Sequence, residues 1–268
     1  MLDWLRRLVT GRSRSAVRES TGVAGNARDK PTWHLMELDL EGNGFSDAVA
    51  WDRVYCKVPR DSRYWTDYLH GYTLEYLLAW WEVAPEDPLR ALVPGCGVSC
   101  AAHMLVALGY DVVASDFSPE AIAYQHWIGE EWEEPTTGSQ WDPRLRWKQL
   151  TGRAVESPRG TIDLVVCDQR HPVEGERFDL VFSERALQQM PRGDRRIVIE
   201  HHYEALKPGG SAMFAFANPS DEGQAELEED LGSAGFFVVQ PKGEDPEATR
   251  ERVAAADCRV ALTYYRWL

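Results

Sequence analysis

Two glycines and an acidic residue near the middle of the chain have the types and spacing of a nucleotide-binding site. Gly95 and Gly97 flank Cys96, and Asp116 follows Gly95 by 21 positions. Because glycine has no Cβ, the backbone at these positions can turn sharply and approach a ligand closely. A carboxylate such as Asp116 accepts hydrogen bonds from the two hydroxyls of a ribose. The pattern therefore predicts a site for an adenosine-containing ligand.

The same pattern occurs in dehydrogenases, so an NAD-dependent oxidoreductase is an alternative. A dinucleotide-binding loop needs a third glycine or alanine beneath the pyrophosphate, and this chain has Cys100 there. Asp168, Ser183 and Glu184 place polar groups at the ends of two further predicted strands, where an adenine amino group and a methionine-like tail can be received. These features favour an adenosyl ligand over NAD.

Short apolar runs alternate with helical patterns along residues 89–268. The first run, at 89–93, stops at the glycine turn, and a helix is predicted at 99–109 with Ser99 as its N-cap. A second strand at 111–115 ends beside Asp116, and Ser118 caps the helix that follows. Further strands are predicted at 162–167, 178–182, 211–215, 236–240 and 259–265, and further helices at 194–206 and 222–232.

This alternation predicts an α/β fold with a Rossmann-like, doubly wound, mostly parallel seven-stranded sheet. No helical pattern between the last two runs is long enough for a full crossover, so the last strand is expected to run antiparallel. Ligands of such sheets bind at the carboxyl ends of the strands, near the point where the strand order reverses. The glycine turn and Asp116 are expected to meet there.

The composition divides the chain into three parts. Residues 1–31, rich in Gly, Ser, Arg and Thr, are predicted to be a flexible basic tail. Residues 32–88 are aromatic-rich and are predicted to form a lid and a helix. The core at 89–268 carries a polar insertion at 129–160. Candidates for the inner surface of the lid are Trp51, Tyr55, Tyr64 and Trp65.

The charge balance argues against several classes of partner. The 268 residues include 29 Lys and Arg against 43 Asp and Glu, which gives a formal net charge of −14. Such a surface repels phosphate backbones and anionic lipids, so neither nucleic acid nor a membrane is expected as a partner. The five cysteines lack the CxxC spacing of zinc sites, and their odd number does not suggest a disulfide framework. A cytoplasmic protein without a bound metal is expected.

Four short runs carry a family resemblance: Val93-Pro94-Gly95-Cys96-Gly97, Asp116-Phe117-Ser118, Cys167-Asp168 and Phe178-Asp179-Leu180-Val181-Phe182. With these runs the chain resembles a class I S-adenosylmethionine-dependent methyltransferase. Within that superfamily it is most similar to the thiopurine and thiol S-methyltransferase group, over residues 50–268. The resemblance implies S-adenosylmethionine as the cofactor and a small molecule as the methyl acceptor.

The resemblance also implies roles for single residues. The glycine turn would line the amino-acid end of the cofactor, Asp116 would bind the ribose, and Asp168 with Gln169 would lie beside the adenine. Trp51 matches the tryptophan with which this group covers its cofactor. The implied cofactor contacts are Trp51, Gly95, Cys96, Gly97, Asp116, Phe117, Asp168, Gln169 and Ser183.

The tip of the fourth strand departs from the pattern of the group. The group typically has Asp-Arg-Gly-Ala-Leu there, whereas this chain has Ser183-Glu184-Arg185-Ala186-Leu187. Glu184 and Arg185 are therefore the predicted catalytic residues. A thiol with a pKa of about 8.5 ionises without a dedicated base, whereas Glu184 suits an amine, which it would hold or deprotonate. S-methylation, N- or O-methylation and a non-catalytic binding module all remain open.

Overall fold

Strands and helices alternate along the core of the molecule. The computed structural model describes residues 48–57, 89–99, 101–107, 109–133, 160–173, 177–217, 221–239 and 259–266. The helices are α1 (Ala48–Tyr55), α2 (Ala101–Ala107), α3 (Pro119–Glu133), α4 (Arg192–Ala205) and α5 (Asp221–Ser233). The strands are β1 (Arg90–Pro94), β2 (Asp111–Asp116), β3 (Ile162–Val166), β4 (Phe178–Glu184), β5 (Leu206–Ala217), β6 (Phe237–Val239) and β7 (Val260–Arg266). A 3-10 turn at Leu187–Gln189 lies between β4 and α4.

These strands form one seven-stranded sheet in the order β3-β2-β1-β4-β5-β7-β6. The doubly wound, Rossmann-like sheet is therefore confirmed. The prediction of an antiparallel last strand is wrong, because β7 runs parallel to both β5 and β6. That prediction rested on the lack of a long helical pattern between the last two strands. Residues 240–259, which join β6 to β7, exceed the dozen or so residues that a parallel crossover needs.

The strand order reverses between β1 and β4. From β1 the sheet extends through β2 to β3, and from β4 it extends the other way through β5. Such a reversal leaves a crevice at the carboxyl ends of the two central strands. The glycine turn follows β1 and Glu184 ends β4, so the fold brings both to this crevice.

Alternate side chains of each strand enter two apolar cores, one on each face of the sheet. On one face, Ala91 and Val93 pack with residues of α1, α2 and α3. On the other face, Leu92, Val181 and Phe214 pack with residues of α4 and α5. Register partners in neighbouring strands point to the same face, so the register assigns each functional side chain to one core or the other.

The predicted helix caps are present. The Ala101 N–H donates to Ser99 Oγ and the Ala121 N–H donates to Ser118 Oγ, each at 3.2 Å. Helix α3 extends to Glu133, inside the predicted insertion. Residues 1–47, 58–88, 100 and 134–159 lie outside the described residues. The tail, most of the lid including Tyr64 and Trp65, Cys100 and most of the insertion are among them, so the domain division stays a prediction.

Helices α4 and α5 are joined by ion pairs around one buried carboxylate. The side chain of Asp230 is 0% exposed and contacts Arg192 at 3.0 Å and Arg195 at 2.9 Å. Arg195 is itself only 11% exposed, so its pair with Asp230 is shielded from water. These contacts fix the two helices that cover the sheet beside β4 and β5.

Candidate active site

The turn after β1 has no room for a side chain at either glycine. Gly95 has φ +62° and Gly97 has φ +49°, both in the left-handed region. A Cβ at Gly95 would lie 2.7 Å from the Cβ of Ala186, and one at Gly97 would lie 3.0 Å from the hydroxyl of Tyr55. The turn therefore requires glycine for both its conformation and its close contacts.

Asp116 lies directly beside this turn. The Gly97 N–H donates to Asp116 Oδ2 at 3.0 Å, and the Ser118 N–H donates to Oδ1 at 2.9 Å. The residue is only 3% exposed. Burial raises its pKa to about 6, against the amide hydrogen bonds, which lower it. Because a carboxylate has about four acceptor positions, both oxygens keep capacity for further donors such as ribose hydroxyls.

Helix α1 closes over the turn and Asp116. Tyr55 is buried against Gly97, and the half-buried ring of Trp51 stacks on Tyr55 with 5.4 Å between centroids. Burial raises the pKa of the Tyr55 hydroxyl, and the charge of Asp116 adds to the effect. Asp52 Oδ1 accepts hydrogen bonds from Ser118 Oγ and from the Glu120 N–H at the start of α3. Tyr55 and Asp52 therefore hold α1 against the glycine turn and the start of α3.

Cys96 and Phe117 follow the same two strand ends. Cys96 is buried, and its N–H donates to the carbonyl of Ser115 at 2.9 Å. Burial and the charge of Asp116 raise the pKa of the Cys96 thiol, so the thiol is protonated at neutral pH. Phe117 is half-buried next to Asp116. Both residues thus lie beside the carboxylate, and their predicted contact with a cofactor stays a prediction.

The tip of β3 contributes Asp168 and Gln169. The Gln169 Nε2 lies 3.2 Å from the position of a Gly95 Cβ, and its Oε1 is buried without a partner among the described residues. Asp168 accepts hydrogen bonds from the Arg170 guanidinium, which also contacts Asp194 on α4. Although partial burial raises it, these hydrogen bonds bring the pKa of Asp168 below its usual value. Gln169 therefore faces the turn, whereas Asp168 is already paired.

The tip of β4 places Glu184 beside the turn. Ser99 Oγ, at the start of α2, donates to Glu184 Oε2 at 3.0 Å. Arg185 follows with φ +59°, a left-handed conformation that is unusual outside glycine, and its N–H donates to the carbonyl of Ala215 at 2.8 Å. Arg185 occupies the position where the motif of the resembled group has glycine, so this chain holds a strained backbone at the strand tip.

Ser183 points to the opposite side of the sheet. It pairs in register with Phe214, which belongs to the core under α4 and α5. Its hydroxyl is buried without a partner among the described residues. The structure therefore brings Glu184 to the glycine turn but separates the Ser183 side chain from it by the thickness of the sheet.

Three residues that the sequence analysis did not single out contact the site. Asp52 binds the start of α3, Gln125 Nε2 donates to the carbonyl of Gly97 at 2.8 Å, and Arg170 pairs with Asp168. Asp52 and Gln125 are distant in sequence from their partners, so no local pattern marks them. The Asp168-to-Arg170 spacing was a usable signal, because it is short enough for a local ion pair. No cluster of three or more potential metal ligands occurs among the described side chains.

A family model matches the part of the sequence that contains the glycine turn, Asp116 and the tips of β3 and β4. The model describes thiopurine S-methyltransferase (TPMT) and matches residues 63–222, more than half of the chain. The chain belongs to the thiopurine S-methyltransferase family. This family member is an S-adenosylmethionine-dependent methyltransferase, as the sequence predicted. No helix in the described part of the chain is long and apolar enough to span a membrane.

Several solved methyltransferase structures are similar to this family member. Magnesium protoporphyrin IX methyltransferase from Synechocystis, with bound S-adenosylmethionine, is 19% identical with a TM-score of 0.45, over 79% of this chain and 89% of that chain. The N-methyltransferase NodS from Bradyrhizobium japonicum, with S-adenosylhomocysteine, is 19% identical with a TM-score of 0.36, over 68% and 70%. A TehB-like methyltransferase from Corynebacterium glutamicum is 17% identical with a TM-score of 0.39, over 62% and 83%. A comparison with curated proteins gave no match.

Proposed function

We propose that this enzyme methylates a small molecule at the crevice between β1 and β4, and that the acceptor atom is a thiol sulfur. The observation that carries the location is the buried Asp116 carboxylate, which is hydrogen-bonded to Gly97 within a turn that admits no side chain. The turn offers main-chain amides without side chains, and Asp116 offers acceptor positions that its two amide donors do not use, which suits an adenosyl group. The family match supports sulfur as the acceptor atom.

The residues around the turn fit S-adenosylmethionine. We propose that Gly95, Cys96 and Gly97 hold its amino-acid end and that Asp116, with Phe117, binds its ribose. Gln169, with a buried amide oxygen that lacks a described partner, is the proposed contact for the adenine amino group. Asp168, which is paired with Arg170, is proposed to lie beside the adenine as well. Ser183 is proposed to contribute main-chain atoms only. Trp51, stacked on Tyr55, is proposed to cover the bound cofactor.

The chain's task in this reaction is mainly to position the acceptor. The cofactor supplies a methyl group already activated on a positively charged sulfur. The protein must align a nucleophile with that methyl group and exclude water. A thiol needs no dedicated base, because enough thiolate forms at neutral pH from a pKa of about 8.5. The half-buried tip of β4, with Glu184 and Arg185, is the proposed acceptor-facing surface.

Glu184 favours an amine acceptor as the second candidate. Its carboxylate is held at the strand tip by Ser99 Oγ and lies beside the glycine turn. A carboxylate in this position can hold an ammonium group or accept its proton before methyl transfer, a role that a thiol does not need. Removing the charge of Glu184 should therefore slow methylation of an amine but not of a thiol.

The test uses isotope-labelled S-adenosylmethionine with a matched panel of a small aromatic thiol, an amine and a phenol, and detects products by mass spectrometry. Methylation of the thiol at a rate unchanged by Glu184→Gln supports the proposal. Methylation of the amine alone, with a rate that Glu184→Gln lowers about a hundredfold, supports the second candidate. Cofactor binding without any methylated product contradicts the first two and supports a binding module. The cytoplasmic location stays a proposal that cell fractionation checks.

A further inference from the structure

Gln125 connects helix α3 to the glycine turn. Its side chain is 0% exposed. Its Nε2 donates to the carbonyl of Gly97 at 2.8 Å and to the carbonyl of Ser99 at 2.7 Å. Both protons of the amide are therefore used on the backbone of one short segment, 28 and 26 positions earlier in the chain.

These two hydrogen bonds fix the orientation of the peptide groups in the turn. In a planar trans peptide, the carbonyl of Gly97 and the N–H of Val98 point in opposite directions. Because the carbonyl faces Gln125, the Val98 N–H points away from α3. This N–H donates to no atom of the described residues. Gln125 thus leaves one turn amide directed away from the helix, with no acceptor among the described residues.

The oxygen of the same side-chain amide accepts no hydrogen bond from the described residues. This oxygen, Gln125 Oε1, is buried. A buried acceptor without a partner destabilises a fold, and the two hydrogen bonds that Nε2 donates offset this cost. The two donated hydrogen bonds are what distinguishes glutamine from an apolar residue of similar size.

A neighbouring histidine fixes the main chain of Gln125. His103 Nε2, on α2, lies 3.0 Å from the Gln125 carbonyl. Burial lowers the pKa of His103 to about 4, so the ring is neutral at neutral pH, and a proton on Nε2 makes the ring a donor to this carbonyl. The side chain of Gln125 is therefore presented to the turn from a fixed backbone.

We infer that Gln125 is a positioning residue for cofactor binding, which holds the carbonyls of Gly97 and Ser99 so that the Val98 N–H is directed at the bound cofactor. The inference rests on the proposed location of the cofactor at this turn. It assigns to α3 a part in the site that is separate from the carboxylate of Asp116.

The test measures the affinity for S-adenosylhomocysteine by calorimetry, together with thermal stability, in four proteins. Gln125→Met keeps the length of the side chain but donates nothing, and its affinity should fall about tenfold or more. Gln125→Glu should bind worse still at pH 7.5, because a carboxylate would face two carbonyls. On acidification its affinity relative to the wild type should recover, because the protonated acid donates one hydrogen bond. Ile128→Ala, in the buried core along α3, should lose stability but keep its affinity.

Three results would overturn the inference while the wild type binds the ligand. They are wild-type affinity in Gln125→Met, a loss in Ile128→Ala as large as in Gln125→Met, and a Gln125→Glu affinity ratio that does not change with pH. Failure of the wild type to bind S-adenosylhomocysteine would instead overturn the proposed function on which the inference depends.

Discussion

The affinity for S-adenosylhomocysteine should fall as the pH is lowered through 6. Asp116 is 3% exposed, and burial raises its pKa to about 6. A carboxylate that accepts hydrogen bonds from two ribose hydroxyls is needed in its ionised form, so ligand binding competes with protonation. Binding should therefore release a proton below pH 6 and none well above it.

The size of this effect follows from the pKa alone. With a pKa of about 6, the factor by which protonation weakens binding is about 1 at pH 7.5 and about 11 at pH 5. Asp52, Tyr55 and Cys96 also face Asp116, and burial raises the pKa of both the tyrosine and the cysteine, which keeps these two groups protonated across the range. Asp116 is therefore the expected source of the change.

The assay is calorimetric titration between pH 5 and 7.5 in buffers of different ionisation enthalpy, which yields both the affinity and the number of protons released. Asp116→Asn should bind about a hundredfold more weakly at pH 7.5, because two charge-assisted hydrogen bonds are lost, and its affinity should not vary with pH. His171→Gln, next to the β3 tip, should keep the full pH dependence. Equal wild-type affinity at pH 5 and 7.5, or an Asp116→Asn variant with the wild-type slope, would refute the reasoning.

Three stability predictions use chemical denaturation. Gly95→Ala should destabilise the fold by about 2 kcal/mol or more, because it adds a clash with Ala186 to a left-handed φ. Gly109→Ala, at φ +99° with open space around it, should destabilise less, and equal losses would contradict the clash with Ala186. Arg185→Gly should stabilise by about 1 kcal/mol by relieving its left-handed backbone, and a loss of stability would contradict this. Asp230→Ala should destabilise the fold by about 3 kcal/mol, because it removes the buried partner of two arginines. Glu229→Ala, at an exposed position, should destabilise it by less than about 1 kcal/mol. Equal losses of stability in the two variants would contradict a role for the burial of Asp230.

The elements of the site that are local in sequence were predictable. Residue type and spacing, within a few positions or one β-α-β unit, indicate the glycine turn, Asp116 and the two serine caps. The parallel sheet followed from the alternation of apolar runs and helical patterns. The turn and the caps depend on backbone geometry that a short segment determines by itself, and the sheet follows from a pattern that repeats along the chain.

The remaining features depend on packing between distant segments. Ser183 and Glu184 are adjacent at one strand tip, yet successive side chains of a strand point to opposite faces, and only the register with β5 shows which one faces the turn. Gln125 is one of several polar residues in a helix, and nothing near it indicates a partner 28 positions earlier. The direction of β7 depends on a connection whose sequence shows no long helical pattern.

The seating of α1 has a kinetic consequence. Tyr55 lies on Gly97, and Asp52 attaches the same helix to the start of α3, so Asp116 is enclosed before any ligand arrives. An adenosyl ligand can then bind at Asp116 only after α1 has moved away from the turn. In rapid-mixing experiments the observed association rate should then level off at high ligand concentration, at the opening frequency of the helix. Asp52→Ala should raise that plateau, because it removes the hydrogen bonds that hold α1 to the start of α3.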